Sequence, residues 1–197
     1  WRRLMYKFLD QLTPDQVEAI AAQVFLEMLE AGYASVAEFH YLHHDTGGVP
    51  YANLPELSER IVAAAKDVGI GLTLLPVLYQ FGGLDKRPLA GGQRRFGNDP
   101  EQFARLHDGA AKAVLSGPSD FNIGVAPHSL RAVDKAGLDA AMTIGGSGPV
   151  HMHLAEQVAE VEEVEVALGA RPTEWLLESY DVDVRWCLIH CTQMTAQ

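Results

Sequence analysis

The chain has 197 residues, 48% of them hydrophobic and 21% charged, a composition that suits a folded globular protein with its own core rather than a disordered segment. A formal net charge of −11 gives polyanions no electrostatic reason to bind, so nucleic acid is not an expected partner. No apolar run approaches the roughly 20 residues a membrane helix needs, and the opening Trp1-Arg2-Arg3-Leu4-Met5-Tyr6 lacks a signal-peptide layout; a cytoplasmic protein without a membrane partner is expected.

In chain order, Thr13-Pro14 opens a helix, with apolar residues at Val17, Ile20, Ala21, Val24, Phe25 and Met28 and a stop at Gly32. A strand is predicted from Ala34 to Tyr41, a helix from Leu54 to Val68, and a second strand from Gly71 to Tyr79. Gln80 to Asn98 is a long irregular segment. Its Arg94 and Arg95 could reach a ligand, although a solvated loop is the commoner outcome for such residues. Asp99-Pro100 starts a helix that runs to about Leu115, and a third strand spans Asn122 to Pro127. A helix from Asp134 to Met142 leads through Gly145-Gly146-Ser147-Gly148 into a fourth strand, Val150 to Ala155. The Gly-rich stretch precedes its strand, so it reads as a helix-to-strand turn and not as a phosphate cradle. Helices from Glu156 to Leu168 and Thr173 to Tyr180 come before a fifth strand, Trp186 to Cys191.

Strands and helices therefore alternate, the pattern of βαβ units and a parallel sheet. Polar residues gather at the C-terminal ends of four strands, where a (β/α) barrel places its active site, and this favours a barrel over a doubly wound sheet. Cys187 and Cys191, spaced to share one face of the last strand and too far apart for a comfortable disulfide, read as buried thiols. The chain opens on Trp1 without an initiator Met and stops where a helix begins, so it is expected to be part of a longer protein.

The chemistry concentrates in Val150-His151-Met152-His153-Leu154-Ala155-Glu156. Period two puts His151 and His153 on one face, and the strand's end puts His153 and Glu156 at the mouth. A metal takes a neutral imidazole, and hydrolysis needs a carboxylate that can move a proton. Core histidines satisfied by backbone are the alternative. The next strand, Cys187-Leu188-Ile189-His190-Cys191, again ends in His, which packing alone explains poorly.

His-x-His-x-Ala-Glu followed by Ile-His-Cys resembles the fifth and sixth strands of the amidohydrolase superfamily in its deaminase branch. Pro127-His128-Ser129-Leu130-Arg131, the opening Trp1-Arg2-Arg3-Leu4-Met5-Tyr6 and Glu38-Phe39-His40-Tyr41-Leu42-His43-His44 narrow the likeness to the formimidoylglutamate deiminase family, across essentially the whole chain. That resemblance implies an α/β fold, a partial TIM-type barrel of about strands 2 to 6 in a metallo-dependent amidohydrolase. It implies one Zn²⁺ per full-length subunit with His153 as a ligand, Glu156 as proton shuttle and His190 polarising the reacting carbon's substituent. Arg131, His128, Tyr41 and Arg2 would hold a small amino-acid-derived substrate; the reaction would be hydrolytic deimination of N-formimidoyl-L-glutamate. Physically, a guanidinium at a strand end is a sensible clamp for a glutamyl carboxylate, whereas Tyr41 reads equally well as a core aromatic. The family's first-strand His-x-His and eighth-strand Asp are not in this chain, and Gln193 stands where relatives often have a second His. Homodimerisation is left open. The alternatives are another deaminase of the superfamily, acting on a nucleobase, nucleoside or guanidino compound, for which aromatic stacking would replace the Arg clamp, or a non-catalytic barrel fragment.

Overall fold

The structure, a computed structural model, describes Met5 and residues 8–195. Helix α1 (Pro14–Glu30) starts where expected. Thr13 Oγ1 accepts the Gln16 N–H at 3.3 Å while the Gln16 side chain accepts the Thr13 N–H at 3.1 Å, so two amides that a helix start leaves unpaired are satisfied reciprocally. Its inner stripe, Val17, Ala21 and Phe25, is buried. Strand β1 (Ser35–His40) follows, then helix α2 (Glu56–Val68), which ends on Gly69 at φ 82°, a left-handed cap that costs glycine nothing.

Strand β2 (Gly71–Leu78) pairs in parallel with β1, from Ser35 opposite Gly71 to His40 opposite Pro76. Leu72, Leu74, Leu75, Val77 and Leu78 are all buried, the continuous apolar run of a strand covered on both faces. Truncating any one of these leucines to Ala would cost about 2–5 kcal/mol in lost transfer energy and cavity. Helix α3 (Pro100–Leu115) is capped by Asp99, whose carboxylate accepts the Gln102 N–H at 2.8 Å.

The third predicted strand is two short pieces, β3 (Asn122–Ile123) and β4 (Ala126–Pro127), both parallel to β2. Between them Gly124 lies so close to Pro149 that a Cβ would sit 2.2 Å from its carbonyl oxygen, and Val125 turns to bridge Val150. The chain changes partner there, which interrupts the ladder. Helix α4 (Lys135–Gly145), β5 (Val150–Leu154), helices α5 (Val158–Leu168) and α6 (Pro172–Ser179), and β6 (Trp186–His190) complete the set. β5 and β6 pair in parallel from Val150 opposite Trp186 to Leu154 opposite His190. The fold is thus α/β, with parallel strands succeeding one another in chain order and their C-terminal ends at one edge.

Two expectations are corrected. Cys187 is exposed and Cys191 half-buried, both as free thiols. Among the described residues β6 pairs only with β5, and the strand ends at His190, so Cys191, at φ 51°, no longer follows its alternation. Arg95 is not solvated. It is fully buried, donating from Nε to the His44 carbonyl at 2.8 Å and from its terminal nitrogens to the carbonyls of Leu9 and, at 2.9 Å, Leu12, while Arg94 stays exposed. The long segment is folded around this guanidinium, which ties it to the loop after β1 and to the chain before α1. No helix among the described residues is long and apolar enough to cross a membrane.

Candidate active site

The ends of β4, β5 and β6 bring three imidazoles together. The His128 amide donates to the Leu78 carbonyl at 3.1 Å and the His153 amide to the His128 carbonyl at 2.9 Å, so backbone pairing sets where both rings stand. The rings stack, 5.0 Å between centroids with planes 20° apart, and His190 lies 5.3 Å beyond His153. Phe39 from β1 meets His153 edge-on at 4.5 Å, and Tyr79 meets His128 at 4.6 Å, giving the pair an aromatic wall.

Burial holds the His128 imidazole well below its ordinary pKa, helped by the neighbouring His153 and Arg131. Burial likewise lowers His153, with His190 adding to it. Both are neutral at pH 7. His153 Nδ1 is buried without a hydrogen-bond partner. A neutral imidazole with an unclaimed ring nitrogen at a polar mouth is a donor that suits zinc, so this residue fits the implied metal. It does so as one ligand of several: among the described residues no group of three or more His, Cys, Asp or Glu converges to hold an ion.

Glu156 follows β5 in a turn, two residues before helix α5 begins, and not in the helix as its sequence suggests. Ala155 before it takes φ 50°, and His190 across from it takes φ 75°. Non-glycine residues seldom adopt this region, and such strain gathers at functional sites. The geometry sets His190 Nε2 3.8 Å from Glu156 Oε1, both side chains being partly exposed. A cavity of about 260 Å³ opens here, walled by His128, Arg131, His153 and Glu156 together with Arg87 and Glu160.

Five residues singled out from sequence are therefore neighbours: His128, Arg131, His153, Glu156 and His190. Tyr41 is set apart. Its ring packs on Phe96 at 4.7 Å, it is separated from His153 by Phe39, and it lines a different, apolar groove with Leu9, Val17 and Phe25. Tyr41 directly follows β1, which ends at His40. Arg2 lies outside the described residues. Neither Arg94 nor Arg95 borders the cavity. Sequence reasoning missed Phe39, whose inward direction follows from period two along β1, and Arg87, which carries no local signal. It also missed Glu160, whose signal was its place in the first turn of a helix.

A family model described as the amidohydrolase family matches residues 1–197, and the chain belongs to that family. It is 47% identical over 193 residues to formimidoylglutamate deiminase from Pseudomonas aeruginosa, covering 98% of this chain and 42% of that protein. A crystal structure of an amidohydrolase from Brucella melitensis superposes with a TM-score of 0.96 at 53% identity, covering 99% of this chain and 43% of the other. An adenosine deaminase from Xanthomonas campestris with bound zinc shares the fold, with a TM-score of 0.69 at 24% identity over 93% of this chain and 36% of its own. The chain thus spans about two fifths of the length of the relatives it matches.

Proposed function

We propose that the full-length protein is a zinc-dependent deiminase that hydrolyses N-formimidoyl-L-glutamate to N-formyl-L-glutamate and ammonia, a step of histidine breakdown. In this reading the chain is one stretch of a single (β/α) barrel, about strands 2 to 6. The observation that carries it is the shared cavity in which Arg131 stands beside His128, His153 and Glu156. It joins a cation suited to a carboxylate with the groups needed for hydrolysis of a C–N bond. The 47% identity to a formimidoylglutamate deiminase supports the same substrate.

His153 would hold the zinc together with ligands contributed by other parts of the full-length protein. When bound, the ion would supply Lewis-acid activation of water at neutral pH. Glu156 then takes a proton from the attacking water and passes it to the departing nitrogen, so that ammonia leaves. His190 donates a hydrogen bond to the substituent of the carbon under attack and stabilises the charge that develops there. Arg131 grips a substrate carboxylate with paired, charge-assisted hydrogen bonds, and His128, held neutral by burial, lines the same wall. Tyr41 and Arg2 would join them in holding the amino-acid end of the substrate. The test is release of ammonia and N-formylglutamate by the purified full-length enzyme, with and without a chelator.

A further inference from the structure

The peptide of Glu156 is gripped from both sides. The Ala155 and Glu156 N–H groups donate to the two carboxylate oxygens of Glu160, at 3.1 and 3.0 Å. On the opposite side the Thr192 hydroxyl donates to the Glu156 carbonyl at 2.6 Å, and the Gln193 amide donates to the Ala155 carbonyl at 2.9 Å. One carboxylate and the turn after β6 thus satisfy both peptides that carry the shuttle.

The geometry departs from ordinary capping. Helix α5 has Gln157 as its N-cap, with no side-chain bond to the helix start, and Glu160 is the third helical residue. In a capping box that residue returns to the N-cap's own amide. Here Glu160 reaches past Gln157 to the two amides before it. What the carboxylate secures is therefore the left-handed Ala155 turn and the peptide of Glu156, more than the end of α5. Ala155, His190 and Cys191 all take positive φ where β5 and β6 end, so the two turns are bent together, and the Thr192 hydroxyl joins them.

We infer that Glu160 is a positioning residue: with Thr192 it clamps the Glu156 peptide so that the shuttle carboxylate stays aimed at the His153 and His190 rings. This rests on the proposed role of Glu156. A carboxylate that must take a proton in one place and deliver it in another gains from a fixed backbone, because a misplacement of about 1 Å can cost on the order of 100-fold in rate. Glu160 need not touch substrate to act this way.

The experiment uses the full-length zinc-loaded enzyme and a cycle of Glu160→Ala, Glu156→Gln and the double variant, with Glu160→Gln and Thr192→Val alongside. Glu160→Ala should lower kcat by about 10- to 100-fold, with KM for formimidoylglutamate changed less than about 2-fold and zinc content unchanged. Glu160→Gln keeps the shape and one acceptor oxygen, so it should recover part of the loss, and amide exchange across 154–158 should be faster in Glu160→Ala than in Glu160→Gln. In the Glu156→Gln background Glu160→Ala should cost nothing further. An equal loss in both backgrounds, or a loss that falls on KM or zinc content, would overturn the clamp while leaving the role of Glu156 intact. Near-normal turnover of Glu156→Gln alone would overturn that role and the clamp with it. If Glu160→Ala does not fold, the Glu160→Gln and Thr192→Val arms carry the same cycle, and full activity in both overturns the inference.

Discussion

His128 and His153 stack in parallel, 5.0 Å apart, and are also joined through the backbone, since the His153 amide donates to the His128 carbonyl. The His128 side of the cavity and the candidate metal ligand are thereby directly joined.

Glu156→Gln in the full-length enzyme should keep its zinc and lose turnover by about 10²- to 10⁴-fold, the usual cost of removing a proton shuttle. Glutamine preserves size and hydrogen bonding, so metal content measured beside the rate separates chemistry from folding. Near-normal kcat would exclude Glu156 from proton transfer.

The segment of residues 1–197 by itself is predicted to bind zinc weakly and to be inactive, because His153 alone cannot replace a four-ligand site. Zinc titration followed by mass spectrometry reads this directly. A stoichiometry near one with turnover of formimidoylglutamate would contradict it.

Acid should destabilise the protein through its buried histidines. Burial lowers His40 to about 4 from an ordinary 6.5, and lowers His43 well below its usual value as well. The unfolded chain then binds more protons than the folded one between these pH values, so stability is complete above about 6.5 and falls as pH drops toward 4. For His40 the loss is about 3 kcal/mol at the acid end. Denaturant melts from pH 7 to 4.5 should show a shallower slope in His40→Gln, while an unchanged slope would show that His40 takes up its proton equally in the folded and unfolded chain.

Arg95→Met should destabilise the fold by at least about 2 kcal/mol, since it strands buried carbonyls at Leu9, Leu12 and His44 with no donor. Lysine cannot reach three carbonyls from one ammonium and should recover little. Equal melting midpoints for wild type and Arg95→Met would refute this.

What could be read in advance follows from local rules. The Thr13-Pro14 start, the period-two pairing of His151 with His153, and the alternation of strands and helices are written into neighbouring residues, and the structure shows each. The grouping of His128, His153 and His190 was also legible, because residues at the C-terminal ends of adjacent parallel strands must share an edge. What escaped depends on distant chain. Arg95 looked like a loop residue until the carbonyls of Leu9 and Leu12, more than 80 positions away, closed around it. Cys187 and Cys191 read as buried because a free cysteine on an apolar segment is usually core, whereas among the described residues β6 has a strand beside it only on the β5 side. Strand three looked continuous because its sequence does not reveal the approach of Gly124 to Pro149.

The most direct test of the central claim compares two substrates and one substitution in the full-length enzyme: formimidoylglutamate against an uncharged formamidine, with wild type against Arg131→Met. Wild type should release ammonia far faster from formimidoylglutamate. Arg131→Met should lose kcat/KM on that substrate by an amount worth about 2 to 5 kcal/mol and lose little on the formamidine, which has no carboxylate to release. Absence of ammonia from formimidoylglutamate, or equal losses on both substrates, would contradict the glutamyl deiminase assignment.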